Sequence, residues 1–201
     1  MQIAKLGVIG AGMMGAEIAL VFAMAGKSVM LNDTAQERLD EALKKLSAVL
    51  DTGISRKFWT EEDKTATLAN IIPTTNLQDF SDRQMVIEAV FEDAEVKGQV
   101  FKKIDKILDP NCIVASNTSS ISITVLSANV SEARQKNFVG LHFFSPVHRM
   151  KLVEVINGMD SSAEALEVAT QACKDAGKIP IQVKDVVGFA VNRMLFALWN
   201  E

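Results

Sequence analysis

The run Gly10-Ala11-Gly12-Met13-Met14-Gly15 constrains the fold of this chain more than any other feature. An apolar stretch over residues 6–9 precedes it and reads as a buried strand. A longer apolar stretch over 13–25 follows and reads as a helix, and a second strand is predicted over 28–32. In a strand–turn–helix setting each glycine has a physical task. Gly10 permits the tight turn, Gly12 lets the backbone approach a pyrophosphate, and Gly15 permits close helix–strand packing. The free amides at the helix start, Met13 and Met14 among them, and the helix dipole then bind phosphate. Asp33 follows 18 residues after Gly15, at the end of the second strand, where a carboxylate accepts hydrogen bonds from the adenosine ribose hydroxyls. A carboxylate there repels a 2′-phosphate, and the first cation after it is Arg38, so the pattern points to NAD rather than NADP.

Short β-branched runs alternate with longer amphipathic stretches through the rest of the chain, the pattern of a parallel sheet covered by helices. Strands are predicted over 71–74, 85–90, 112–116, 138–143, 152–156 and 179–183. Thr34 to Glu37 has capping-box spacing and is expected to open a helix to about residue 50; Thr60, followed by Glu61, Glu62 and Asp63, opens another. Further helices are predicted over 95–108, 123–129 and 162–176. The expected fold class is α/β, with a Rossmann-like, doubly wound, mostly parallel sheet carrying added antiparallel strands over residues 1–185. Apolar residues then fall at Val187, Val191, Met194, Leu195 and Leu198 with no Gly, Pro or cap to close the stripe. Such a stripe needs a partner surface: the helix over residues 186–201 either folds back on this domain or, as expected here, opens a second domain that the chain leaves out.

Several classes drop out. Residues 6–24 are apolar enough to suggest a signal peptide or membrane span, but they hold four glycines and Glu17 between Lys5 and Lys27. A charge at mid-bilayer costs about 3 kcal/mol on insertion scales. The 21 Lys and Arg are dispersed and the net charge is -4, so nothing points to a nucleic-acid surface. Cys112 and Cys173 have no metal-ligand spacing and lie in apolar surroundings, as reduced thiols of a cytoplasmic protein do; no metal is expected.

There are two histidines. His142 ends one predicted strand and Glu154 lies within the next, both otherwise apolar. A buried carboxylate needs a hydrogen-bonding partner, and a hairpin through residues 145–150 would bring the two into contact. An imidazole held by a carboxylate is a general base. On spacing alone, a core histidine beside an unrelated strand glutamate fits equally well.

Taken together, Gly10 to Gly15, Ile87-Glu88-Ala89-Val90, Ser116-Asn117-Thr118-Ser119-Ser120, His142-Phe143-Phe144-Ser145-Pro146, Leu152-Val153-Glu154-Val155 and Gly188-Phe189-Ala190-Val191-Asn192-Arg193 resemble the successive motifs of the L-3-hydroxyacyl-CoA dehydrogenases. The resemblance runs in order along essentially the whole chain. It implies an NAD-dependent enzyme interconverting L-3-hydroxyacyl-CoA and 3-oxoacyl-CoA, with an N-terminal NAD-binding domain and a smaller helical C-terminal domain carrying a homodimer contact. It assigns His142 as the base at the substrate 3-hydroxyl and Glu154 as the group that orients it. Ser119 would touch substrate and cofactor, Asn192 would donate near the substrate oxygen, and Glu92 and Lys97 would contact NAD. Arg56 and Lys57 are the best-placed cations for coenzyme A phosphates, although a solvated helix end explains them equally well. His148 and Arg149 lie in the loop between the paired strands. Ser145 departs from the Asn common in single-function members and is frequent in the dehydrogenase parts of multifunctional β-oxidation proteins, while the start at Met1 suits a chain that begins with this domain. On this reading the chain binds neither nucleic acid nor membrane and, lacking the helical domain, keeps an intact NAD site with weak activity.

Two rivals stand against it. One is a dehydrogenase of free 3-hydroxy acids, which typically relies on a catalytic lysine. The other is a catalytically incomplete protein that only binds NAD.

Overall fold

The computed structural model describes residues 2–199. Eight strands form one sheet: β1 (Lys5–Ile9), β2 (Ser28–Asn32), β3 (Ile71–Thr74), β4 (Met85–Glu88), β5 (Ile113–Ser116), β6 (Phe138–Phe143), β7 (Leu152–Asn157) and β8 (Ile179–Lys184), in the order β3-β2-β1-β4-β5-β6-β7-β8. The first six run parallel; β7 is antiparallel to β6, and β8 parallel to β7. Strand order reverses between β1 and β4, so the crevice beyond their carboxyl ends is the place where such sheets bind ligands.

Helices cover both faces. On one side α1 (Met13–Met24), α2 (Gln36–Ser55), α3 (Glu61–Ala69) and α7 (Ala163–Asp175) flank a core including Phe22, Leu39, Leu46, Val139, Leu141 and Leu166. On the other, α4 (Ala94–Ile104) and α5 (Ile123–Ser127) close over Phe80, Phe101, Ile104, Leu126 and Phe138. α1 is apolar nearly all round because it is buried between the sheet and its neighbouring helices, which is what gives its sequence a membrane-like look. No described helix is long and apolar enough to cross a membrane.

The predicted elements form within a few residues of their expected bounds, with three instructive departures. Thr34 does not cap α2: its amide and hydroxyl donate to Asp33 Oδ1 at 2.7 and 3.3 Å, and the helix starts at Gln36 with no side-chain cap. Ala35, which has no side-chain acceptor, takes the N-cap position instead. α2 also runs past residue 50 to Ser55, because Leu50 and Gly53 continue its buried face and Trp59 seats where a Gly53 Cβ would stand. The third departure is at the other end. Residues 187–190 form a turn, with Gly188 at φ 75° and Phe189 at φ 47°, and α8 (Val191–Trp199) begins only after it. Phe189 turns into the core, Val191 and Leu195 are half-buried, and Met194 and Leu198 are exposed. Of the expected 186–201 helix, Asn200 and Glu201 lie outside the described residues. A 3-10 turn over Leu77–Asp82 and a one-turn helix, α6 (Glu132–Gln135), are additional. α3 opens at Thr60 as predicted, through a reciprocal box: Asp63 N donates to Thr60 Oγ1 at 3.1 Å and Thr60 N to Asp63 Oδ2 at 2.9 Å.

Candidate active site

A cleft of about 730 Å³ opens beyond the carboxyl ends of β1 and β4, lined by the glycine loop, Met13, Met14, Asp33, Arg38, Glu92, Asn117 and Ser119 among others. The glycines divide by what a side chain would meet. At Gly10 (φ 101°) a Cβ would lie 2.7 Å from Ala89 O, and at Gly15 it would lie 1.8 Å from Gly10 O. Those two are demanded by the protein's own packing. At Gly12 nothing of the protein lies within 4 Å. Its missing side chain leaves room for something outside the fold, which suits a pyrophosphate seated on the start of α1. Asp33, 7% exposed, closes the far wall; its Oδ2 accepts from Ala11 N at 2.9 Å and so ties the loop to β2.

Across the cleft, Glu92 Oε1 accepts from Thr118 Oγ1 at 2.5 Å and Ser119 N at 2.8 Å, and Oε2 lies 3.2 Å from Lys97 Nζ. Burial pushes the Glu92 carboxyl up, but these hydrogen bonds and the lysine charge outweigh it and hold the group below its ordinary value. Lys97 does not reach the cleft. It is fully buried, 2.8 Å from Glu88 Oε1 and donating to Asn117 O at 3.1 Å, and Glu92 stands between it and the cleft. Nor is it half of a solvated surface pair. Glu88, also fully buried, accepts from Val90 N and Ser116 Oγ, and burial raises its carboxyl above the ordinary range despite Lys97.

The antiparallel register of β6 and β7 sets His142 directly opposite Glu154. His142 Nδ1 lies 2.7 Å from Glu154 Oε2, and the imidazole contacts the rings of Phe144 and Phe189. A carboxylate only accepts, so in the neutral ring Nδ1 carries the proton and Nε2 the lone pair. Glu154 Oε1 is also used: it accepts from Ala190 N and Val191 N, each at 2.9 Å. One carboxylate therefore orients the imidazole and anchors the start of α8. Asn192, in the first turn of that helix, donates from Nδ2 to Ser119 O at 3.3 Å. Asn117 Oδ1 accepts from Phe143 N at 3.1 Å, joining the ends of β5 and β6 beneath the same site.

Arg56 lies elsewhere, in a pocket of about 390 Å³ shared with Glu17, Trp59, Pro146, His148 and Arg149. Lys57, exposed at φ 61°, does not line it. Glu17 and Lys178 fix the loop that forms this pocket's wall: Glu17 Oε2 accepts from Val147 N, and Lys178 Nζ donates to Val147 O and to Met150 O. Glu17, Glu88 and Lys178 were not singled out as site residues in the sequence. For Glu17 and Glu88 the signal was available, a lone carboxylate in an otherwise apolar helix or strand, which must find donors when buried.

The sequence pattern described as "3-hydroxyacyl-CoA dehydrogenase, NAD binding domain" matches residues 5–186. The chain is 45% identical over 195 residues to the fatty acid oxidation complex subunit alpha of Psychrobacter sp. (strain PRwf-1), covering 97% of this chain and 27% of that protein. It is 41% identical over 197 residues to the probable 3-hydroxybutyryl-CoA dehydrogenase of Deinococcus radiodurans, covering 98% of this chain and 70% of that one. The crystal structure of (S)-3-hydroxybutyryl-CoA dehydrogenase PaaH1 from Ralstonia eutropha superposes with a TM-score of 0.96 at 40% identity, over 99% of this chain and 70% of that chain. With the pattern matched along nearly its whole length, the chain belongs to the 3-hydroxyacyl-CoA dehydrogenase family, of which residues 5–186 form the NAD-binding domain.

Proposed function

We propose that the protein oxidises L-3-hydroxyacyl-CoA to 3-oxoacyl-CoA, or catalyses the reverse reduction, in fatty-acid or short-chain acyl-CoA metabolism. The observation that carries this reading is the buried His142–Glu154 pair, joined through the start of α8 to Asn192 and Ser119 at the rim of the nucleotide cleft. Bound NAD supplies the hydride acceptor. His142 Nε2 takes the proton of the 3-hydroxyl, and Glu154 holds Nδ1–H and stabilises the imidazolium that forms. Asn192 donates to the substrate oxygen, Ser119 contacts substrate and cofactor, and Glu92 holds the Ser119 amide. Asp33 accepts from the adenosine ribose. Arg56, with His148 and Arg149 beside it, receives the phosphates of coenzyme A, and Lys57 adds charge at the rim. Two copies pair through a helical domain, in the cytoplasm. Supporting a reducing compartment, Cys112 and Cys173 are buried free thiols whose pKa values burial pushes up to about 12.

The test is NADH oxidation followed with acetoacetyl-CoA and, separately, with free acetoacetate. Turnover of the thioester alone is expected. Comparable kcat/KM for the free acid would transfer the site to the hydroxy-acid class, and NADH binding with no turnover of either would make the protein a binding module.

The glycine loop gives a separate expectation. Gly12→Ala should melt within a few degrees of the unsubstituted protein yet bind NADH at least ~10-fold more weakly, since the methyl occupies room reserved for phosphate. Gly15→Ala should instead lose about 3 kcal/mol of stability through overpacking against Gly10 O. Thermal melts and NADH fluorescence titrations of both variants separate the two effects; equal losses of stability would remove the distinction.

A further inference from the structure

Beside Asp33 the wall of the nucleotide cleft carries a cation that a ribose diol does not require. Arg38, in the first turn of α2, lines the cleft with its guanidinium Nη1 3.8 Å from Asp33 Oδ1. That is an ion-pair distance and too long for a hydrogen bond. Its side chain is 70% exposed and donates no hydrogen bond among the described residues, so its donors are free to turn into the cleft. Lys103, from α4, lines the same cleft, as does Thr34. Asp33 itself is nearly spent within the protein, accepting from Ala11 N, Thr34 N and Thr34 Oγ1.

We propose that this cleft contains a latent site for a 2′-phosphate, formed by Arg38 with Thr34 and kept shut by the single charge of Asp33. A planar guanidinium matches two phosphate oxygens at once, and an arginine in this neighbourhood is what accommodates the extra phosphate of NADP in sheets of this kind. With Asp33 ionised, the phosphate and carboxylate repel each other and Arg38 is partly neutralised by the carboxylate beside it. With the charge removed, the same guanidinium faces the phosphate with nothing to offset it. The inference rests on Asp33 facing the ribose diol.

Asp33 also holds the glycine loop through Ala11 N, so the substitution must remove charge and keep an acceptor. Asp33→Asn does so, and Asp33→Ser is a second route if the amide misfits. Binding of NADH and NADPH is measured by fluorescence titration, with displacement by 2′,5′-ADP and by ADP as a check free of turnover; circular dichroism confirms that each variant folds. The unsubstituted protein should prefer NADH by at least ~100-fold, and Asp33→Asn or Asp33→Ser should bind NADPH and 2′,5′-ADP at least ~10-fold more tightly than it does. Adding Arg38→Ala to either variant should abolish that gain, and the gain should shrink in high salt. NADPH binding that stays weak in both folded variants, or a gain that survives Arg38→Ala, overturns the latent site while leaving Asp33 on the ribose. Unchanged NADH affinity in both variants overturns the ribose assignment and the inference with it.

Discussion

His142→Gln is expected to lower kcat for acetoacetyl-CoA reduction at least ~100-fold while NADH affinity stays within about twofold. The size follows from what the substitution removes: a proton carrier whose ring is fixed by one carboxylate and two aromatic rings. Glutamine can hydrogen-bond but cannot accept and return a proton at this position. Glu154 gives a finer dissection because its two oxygens do different work. In Glu154→Gln the carbonyl oxygen can still accept from Ala190 N and Val191 N, so α8 stays anchored. The amide nitrogen then faces His142 Nδ1 as a donor, which forces the ring proton onto Nε2 and removes the lone pair the reaction needs. That variant should lose rate and move the pH profile of kcat/KM with little change in melting temperature. Glu154→Ala should lose both, because the amides at the start of α8 are left without an acceptor. A His142→Gln enzyme retaining more than about half its rate removes the histidine from the chemistry.

The division between what was legible in the sequence and what was not follows the range of the interactions. The glycine loop, the Thr60 box and the strand pattern are local, and each forms where its residues specify. His142 and Glu154 were also legible, because polar residues inside apolar strands must satisfy each other and the two strands are near neighbours in sequence. Asp185 was not. It accepts from Ser122, Ile123 and Thr124, some sixty residues away, and so caps α5 from beyond the end of β8. The second use of Glu154, on the amides of Ala190 and Val191, is hidden for the same reason. At Thr34 the local rule fails because the helix begins one residue later than the spacing suggests, with Ala35 at its N-cap. Arg56 and Lys57 stand together only by their approximate position in the family pattern. The left-handed backbone at Lys57 turns the chain there, and only Arg56 reaches the pocket with His148 and Arg149.

Lys97→Met is expected to cost about 3–5 kcal/mol of stability near neutral pH, the loss typical of breaking a buried ion pair from one side. Lys97 Nζ sits between Glu88, Glu92 and the carbonyl of Asn117, with neither Lys97 nor Glu88 reaching solvent. Methionine fills much the same volume and leaves Glu88 without a counter-charge in a dry interior. Burial already raises the Glu88 carboxyl above its ordinary value with the lysine present, and without that charge it must rise further. A carboxyl whose folded value exceeds its unfolded one takes up a proton on folding. Its contribution is therefore fully present below the ordinary carboxylate range and is lost as pH rises through the raised value. Urea denaturation of Lys97→Met at a series of pH values should show stability falling from mildly acidic toward neutral pH more steeply than in the unsubstituted protein. Adding Glu88→Gln should recover at least about half of the loss and flatten that dependence, because replacing both partners of a buried pair leaves no stranded charge. If the double variant is as unstable as Lys97→Met at every pH, the lysine acts through packing alone. If Lys97→Met is within about 1 kcal/mol of the unsubstituted protein, the buried pair is not what holds β4 to α4 behind the Ser119 loop.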